Sequence, residues 1–430
     1  MEIFELHNIF STCNGVCIDT RKITDNCLFF ALKGEHFNAN TFALEALSKG
    51  AAFAVVDDIE LKKYDNPKLI FVDDSLEALQ ELAAFHRYHL GLPIIALTGS
   101  NGKTTSKELI HVVIAKKYNS VATIGNLNNH IGVPLSLLKI TEDTDLGLIE
   151  MGANHLGEIE ELCDIALPDF GYITNFGRAH LEGFGGVDGV IKGKSELYTY
   201  LNENKKSAFV NFDDPIQVEK TNNIQRFGFS TKNNANADVL ITKAYAQPMA
   251  TIEVNNTLIT SNLTGVYNIP NIAIAVTIGL FFNISIDEIK SAIEGYIPQN
   301  NRSQWIDIND KKILLDAYNA NPSSMFAAIE NFKQLEETDK LMILGDMFEL
   351  GEEAFQEHQK IIKDSIESGI STFFVGSYFD RAKIDVENIK YFTALDDLTL
   401  YLKTSPINNK TVLIKGSRGM ALEKLLDFIS

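Results

Sequence analysis

Cysteine is scarce: Cys13, Cys17, Cys27 and Cys163 are the only four in 430 residues. No second pair and no histidine set completes the Cys13–Cys17 spacing to four ligands, which argues against a zinc site, and the four read as buried thiols. Basic residues are in deficit too, with 38 Lys and Arg against 57 Asp and Glu and a formal net charge of −19. Such a balance argues against a nucleic-acid partner, because a duplex demands a basic surface that displaces counterions; an anionic ligand would need a local basic pocket. Long hydrophobic runs are missing. The longest, "IAIAVTIGLFF" from Ile272 to Phe282, is 11 residues, short of the roughly 20 that span a bilayer. The opening "MEIFELHNIF" lacks the basic stretch and apolar core of a secretory signal. A cytoplasmic protein without membrane insertion is expected. Internal repeats and low-complexity segments are absent.

What is present is the composition of a globular chain, 45% hydrophobic and 22% charged, able to bury sizeable cores. At roughly 100 to 200 residues per domain, three domains are expected. Residues 1–90 alternate short strand-like runs ("CLFFAL", "AAFAVVDD", "KLIFVDD") with helical ones. They end in a helix for which Asp74 and Glu77 predict a capping box and Leu76, Leu79, Leu82 and Ala83 an apolar stripe. Residues 91–299 begin at a strand after Pro93, and apolar strands alternating with helices imply right-handed crossovers and a parallel sheet. Within them, residues 208–260 read as an antiparallel insertion, and a helix is expected from Asn268 to Phe282. In residues 300–430 the strands "KILLDAY", "KLMILGD", "TFFVGS" and "TVLIKGS" alternate with helices, predicting a third α/β unit.

The chemistry begins at "TGSNGKTT". Leu97 stands where the usual phosphate-loop pattern has its first glycine. Even so, backbone N–H groups of Gly99, Ser100, Asn101 and Gly102 at a helix N-terminus can hold a triphosphate, with Lys103 on the outer phosphates and Thr104, followed by Thr105, placing a hydroxyl on Mg²⁺. Glu150 closes the apolar strand "LGLIE", and the next strand leads into "RAHLEGFGG" with His180 and Glu182. Singly, Glu150 reads equally as a solvated acid, His180 as a core or surface imidazole, and Lys192 and Lys194 of "IKGKSELY" as solvated lysines. Gathered on adjacent strand ends, the acids and His180 read as a magnesium site.

In order along the chain, "TGSNGKTT", "TIGNLNNHIGVP", "EMGANHLGEI", "TNFGRAHLEGFG", "DAYNANPSSM", "LGDMFELG" and "KGSRGM" resemble the bacterial Mur ligases, over nearly the whole sequence. The resemblance implies an α/β fold of three domains. The first binds a UDP-sugar, the second is a central parallel-sheet ATPase domain of phosphate-loop type, and the third is a Rossmann-like α/β domain that brings the incoming dipeptide and closes on ATP. It implies ATP-dependent, ADP-forming joining of D-alanyl-D-alanine to UDP-MurNAc-tripeptide through an acyl phosphate, in peptidoglycan precursor synthesis. Lys103, Lys194, His180 and Arg302 would be catalytic. Thr104 and Glu150 would hold a first Mg²⁺, and Glu150 and His180 would share a second with a carbamylated lysine. The family places that lysine four residues before an aromatic, which selects Lys194, four before Tyr198, over Lys192. Asn268 and Asn271 match the adenine-contacting stretch, where many relatives have His in place of Tyr267. Arg302 and Asp316 match residues reaching the γ-phosphate and ribose, Thr20 and Arg21 the uridine-nucleotide site, and Asn126, Asn128 and Asn129 a loop facing the muramoyl substrate. The chain is expected to act as a monomer. The alternatives are a diamino-acid-adding relative in the same family, a folylpolyglutamate synthase, a transport or regulatory ATPase, and a non-catalytic nucleotide-binding module. "NANPSSM", standing where a diamino-acid-adding ligase would carry an Asp-Asn-Pro-Arg type of motif, favours the D-alanyl-D-alanine ligase.

Overall fold

The computed structural model describes residues 1–429. Three main sheets follow one another along the chain. The first has four parallel strands, Val16–Cys17, Leu28–Phe30, Phe53–Val56 and Leu69–Phe71, side by side in that order. It is followed by the helix Ser75–Leu90. Asp74 caps that helix by accepting from the N–H groups of Leu76 and Glu77 at 2.7 and 2.9 Å, while the return bond expected from the Glu77 carboxylate is not formed. Gly91, at φ +65°, ends it. The buried stripe is Ala78, Leu79, Leu82 and Ala83, with Leu76 only half-buried. The helix also rivets the first sheet to the next. Arg87 donates to Ala166 O, Leu167 O and the Asp169 carboxylate, and His86 bonds Ile140 O at 2.8 Å.

The second sheet has nine strands. Ile94–Thr98 lies between Phe170–Ile173 and Leu146–Glu150, all parallel, with Ser120–Ala122 at one edge. The expected antiparallel insertion at 208–260 is corrected in part. Ser207–Asn211 and Gln225–Ser230 are parallel members of the main sheet, because the capped helix Pro215–Lys220 between them carries the chain across. Only Val239–Tyr245, Thr251–Val254 and Thr257–Thr260 form an antiparallel meander. The helix Ile269–Phe281 is apolar on every side because every side is covered: Ile272, Ala273, Ile274, Ala275, Val276 and Ile278 are fully buried in one cluster with Leu109, Ile110 and Val113 of the helix Lys103–Ile114.

The third sheet pairs Gln304–Ile308 antiparallel with Lys311–Asp316, then continues in parallel through Thr411–Lys415, Lys340–Gly345, Ser371–Val375 and Ile389–Phe392. Of the cysteines read as buried, Cys27 and Cys163 are, whereas Cys13 and Cys17 are partly exposed. Cys13 lies just beyond the first helix and Cys17 on a two-residue edge strand, so neither is covered on all sides. No helix among the described residues is long and apolar enough to cross a membrane.

Candidate active site

The parallel strands of the second sheet end at one rim, and the rim is where charge collects. Ile94–Thr98 is fully buried and turns at Gly99 into the helix that starts at Lys103. Gly99 has φ +135° and a Cβ there would lie 2.0 Å from Thr174 Oγ1; Gly102 has φ +78° and its Cβ would lie 2.7 Å from Asn271 Oδ1. Both positions therefore demand glycine. The loop between them is clamped from the neighbouring strand end: Thr174 Oγ1 and Asn175 Nδ2 donate to Asn101 O at 2.6 and 2.9 Å, and Ser100 Oγ donates to Gly177 O at 2.7 Å. Lys103 Nζ donates back to Gly99 O at 2.6 Å. Desolvation lowers its pKa against the pull of Glu150, and Arg302 adds to the depression.

Glu150 is 2% exposed. Its Oε1 accepts from Asn128 Nδ2 at 2.8 Å and its own N–H donates to Thr123 Oγ1. Oε2 is buried without a hydrogen bond, 4.0 Å from the Lys107 ammonium, which itself donates to Thr123 O at 2.6 Å. Thr104 and Glu150 line one cavity, and an orphaned carboxylate oxygen there fits Mg²⁺, which takes one or two protein oxygens and completes its octahedron with phosphate and water. No three His, Cys, Asp or Glu side chains among the described residues gather as a metal cluster. His180, with φ +53°, directs Nδ1 to the Glu349 carboxylate of the third sheet's side. That bond holds the Glu349 carboxyl below its usual range.

Lys194 is 1% exposed, whereas Lys192 is exposed. Its Nζ donates to Ala153 O at 2.9 Å and lies 4.9 Å from the centroid of the Phe184 ring, just behind the cavity wall at Ala153. Burial first, and the Lys103 charge second, push its pKa well below the ordinary lysine range. The shift is toward the neutral amine.

A cavity of about 850 Å³ opens between this rim and the third sheet. Ser100 to Thr105, Glu150 and His180 line one side, and Asn126, Asn128 and Asn129 another. Asn268 and Asn271 bond each other at 2.9 Å and lie beside Gly102, while the Tyr267 hydroxyl meets Ser303 Oγ at 3.0 Å. From the third sheet, the Arg302 guanidinium carbon stacks 3.7 Å from the Tyr318 ring centroid with its Nε unpartnered, and Asp316 accepts from Lys415 Nζ at 2.6 Å. The sequence-predicted residues thus converge, with four exceptions. Gly99 and Lys194 lie behind the lining. Thr20 and Arg21 lie elsewhere, on the turn Thr20–Lys22 of the first sheet, where Arg21 is bonded to Asp19 and holds that carboxyl down at about 2.

Residue-level reasoning missed Tyr318, Asn321, Lys415, Lys107 and Arg178. Asn321 Nδ2 donates to Asn101 Oδ1 at 2.7 Å, joining the third sheet's side to the phosphate loop. Arg178 pairs with Glu353 and Glu357 across the same seam. The signal was present, since four of the five fall inside the segments "TNFGRAHLEGFG", "DAYNANPSSM" and "KGSRGM", and Lys107 stands two residues after "TGSNGKTT".

A family model described as the Mur ligase middle domain matches residues 97–279, and one described as the Mur ligase, glutamate ligase domain, matches residues 301–418. Over 422 residues, 96% of this chain and 92% of the relative, the sequence is 32% identical to the UDP-N-acetylmuramoyl-tripeptide–D-alanyl-D-alanine ligase of Bacillus subtilis. The chain belongs to the Mur ligase family, in its MurF branch. The enzyme of the same name from Escherichia coli is 33% identical over 98% of this Mur ligase and 95% of its own length. Among solved structures, MurF from Acinetobacter baumannii superposes with a TM-score of 0.88 at 29% identity, covering 99% of this chain and 98% of that one. MurF ligase from Thermotoga maritima in complex with ADP superposes with a TM-score of 0.84 over 97% of both chains. At 24% identity that second likeness speaks for the fold.

Proposed function

We propose that this Mur ligase is an ATP-dependent, ADP-forming enzyme that joins D-alanyl-D-alanine to UDP-N-acetylmuramoyl-tripeptide in peptidoglycan precursor synthesis. The observation that carries the reading is the meeting, in one cavity, of the phosphate loop with cationic side chains of the third sheet, in a chain similar from end to end to MurF enzymes. In this reading residues 1–90 hold the UDP-sugar, with Thr20 and Arg21 at the uridine nucleotide. Residues 91–299 hold ATP, and residues 300–430 bring the dipeptide.

The loop Gly99–Gly102 presents backbone N–H groups to the phosphates, and Lys103 leaves Gly99 O to neutralise the β- and γ-phosphates. The tripeptide carboxylate attacks the γ-phosphorus, ADP leaves, and the dipeptide amine then displaces phosphate from the acyl phosphate. Arg302, flat against Tyr318, faces the charge that develops on the transferring group. Asn268 and Asn271 bound the adenine, Asp316 receives the ribose, and Asn126, Asn128 and Asn129 the muramoyl group. Glu150 and Thr104 would hold one Mg²⁺, and Glu150, His180 and a carbamate on Lys194 a second; bound there, the ions would neutralise charge on the phosphates. Burial favours the neutral Lys194 amine that carbamylation needs. His180 would turn from Glu349 to serve as a ligand. The third sheet's side, closing on the rim, excludes water from the acyl phosphate. We place the enzyme in the cytoplasm as a monomer.

Incubation of the enzyme with UDP-MurNAc-tripeptide, ATP, Mg²⁺ and D-Ala-D-Ala, followed by mass spectrometry, is expected to show UDP-MurNAc-pentapeptide and ADP. Phosphate release at full rate from ATP alone would replace the ligase reading with an ATPase.

A further inference from the structure

We infer that Glu108 is a positioning residue that sets Arg302 over the phosphate loop by fixing the linker between the second and third sheets; the inference rests on the role proposed for Arg302. Glu108 lies one turn into the helix that begins at Lys103. Its carboxylate accepts from the Tyr296 hydroxyl and, at 2.9 and 3.1 Å, from Asn300 Nδ2. Tyr296 directly follows the helix Ile286–Gly295, and Asn300 stands two residues before Arg302. Hydrogen bonds to a carboxylate are among the strong ones, and two donors on one half-buried group hold the linker at both ends.

The backbone around Arg302 needs such a hold. Asn301 and Ser303, on either side of it, are both left-handed, at φ +56° and +47°. Non-glycine residues stay there only where neighbours over-determine them. Beyond Arg302, Ser303 N–H donates to Asp316 Oδ1 at 3.2 Å and its hydroxyl meets Tyr267. Before Arg302, Asn301 N–H donates to Gln304 Oε1 and Asn301 O accepts from Tyr318 N–H, each at 3.2 Å, and the anchor that reaches the second sheet is the Asn300–Glu108 pair. The helix that presents Lys103 and Thr104 therefore carries, on its own surface, the fixing point for the arginine delivered from the other sheet. Loss of that point leaves Arg302 on the chain with its angle of approach no longer set. Near reacting atoms, a displacement of about 1 Å can cost up to ~100-fold.

The test compares E108A, E108Q, Y296F, R302A and the double variant E108A/R302A as full-length enzymes. E108A is expected to lower kcat about tenfold with the KM for ATP changed less than about threefold, the split of a group acting at the transition state. E108Q, keeping one acceptor oxygen, is expected to recover part of the loss, and Y296F to lose less than E108A. The double variant should be no slower than R302A within about twofold, because the anchor has nothing left to position. The single tryptophan, Trp305, three residues beyond Arg302, gives a second readout: its emission change on adding ADP should shrink in E108A and persist in R302A. A merely structural Glu108 would multiply its loss onto that of R302A and leave the emission change intact; either result overturns the inference. If E108A melts without cooperativity, E108Q and Y296F carry the same comparison. An unchanged kcat in R302A refutes the Arg302 role itself and the inference with it, whereas a slow R302A beside a normal E108A refutes the inference alone.

Discussion

The two sides of the cavity are built differently. The rim of the second sheet is held from within: its strands are parallel, backbone-paired and buried, its glycines tolerate no side chain, and Glu150 and Lys194 are almost wholly covered. The facing side belongs to another sheet. Apart from a long backbone bond of 3.5 Å between Glu182 and Glu349, it meets the rim through side chains, with Asn321 on Asn101, Glu353 and Glu357 on Arg178, and Glu349 on His180. The difference separates two tasks. In the proposed reaction the rim would hold the nucleotide, and the facing side would supply charge whose value lies in the transition state.

Substitutions on the two sides should therefore fail in different ways. The largest effect is expected at the rim: Lys103→Ala should lower kcat by about 1000-fold and also weaken nucleotide binding, as removal of a phosphate-facing cation does. Calorimetry with ADP beside steady-state phosphate release checks both. Next, Lys194→Ala and Lys194→Arg should each lose about 100-fold or more, since arginine restores charge but no carbamate, while Lys192→Ala stays within about twofold. Equal activity of Lys194→Arg and wild type would remove the carbamate from the reading, as would intact-mass data showing an unmodified lysine in fully active enzyme.

On the facing side, Arg302→Ala should cost about 100-fold in kcat with ATP affinity nearly kept. Comparable losses in kcat and in affinity would erase the distinction between the two sides. Arg178→Ala is expected to be milder, about threefold in kcat, because the pair is half-exposed. The wild-type rate should fall with added salt more steeply than the rate of Arg178→Ala, measured from 0.05 to about 0.5 M, as screening weakens the seam.

The smallest effect concerns the joint to the first sheet. His86 Nε2 donates to Ile140 O, so its Nδ1 accepts from His7 Nε2 at 3.0 Å, with His89 alongside. Burial lowers both pKa values below 6.5, and the neighbouring histidines add to it. Between the folded and unfolded values the unfolded chain binds more protons, so stability is complete above about pH 6.5 and falls as pH drops through that window. A melting temperature lower by a few degrees at pH 5.5 than at pH 7.5, with His86→Gln flattening the difference, is the expected result.

Much of the site could be read from residues because its demands are local. A loop that must approach phosphate needs glycine at Gly99 and Gly102, and an acid at the end of an apolar strand, as at Glu150, stands out. Strand direction was harder. "SAFVN" and "QRFGFS" are too short for their pattern to tell parallel from antiparallel, and a six-residue helix decided it. Asn321 and Lys107 escaped residue-level reading for another reason: their partners, Asn101 and the Thr123–Glu150 pair, are supplied only by tertiary folding. The half-open Cys17 shows the same limit, since an edge strand reads like any other until its neighbours are known.

The helix Ile269–Phe281 carries a cost in the order of synthesis. It is the apolar cover of the helix Lys103–Ile114, and it leaves the ribosome long after the surface it covers. At about 5 to 20 residues per second the delay is roughly ten to thirty seconds, during which Leu109, Ile110 and Val113 have the strands beneath them but lack this cover. A chain broken before this helix would expose that apolar face, and such fragments are expected to aggregate.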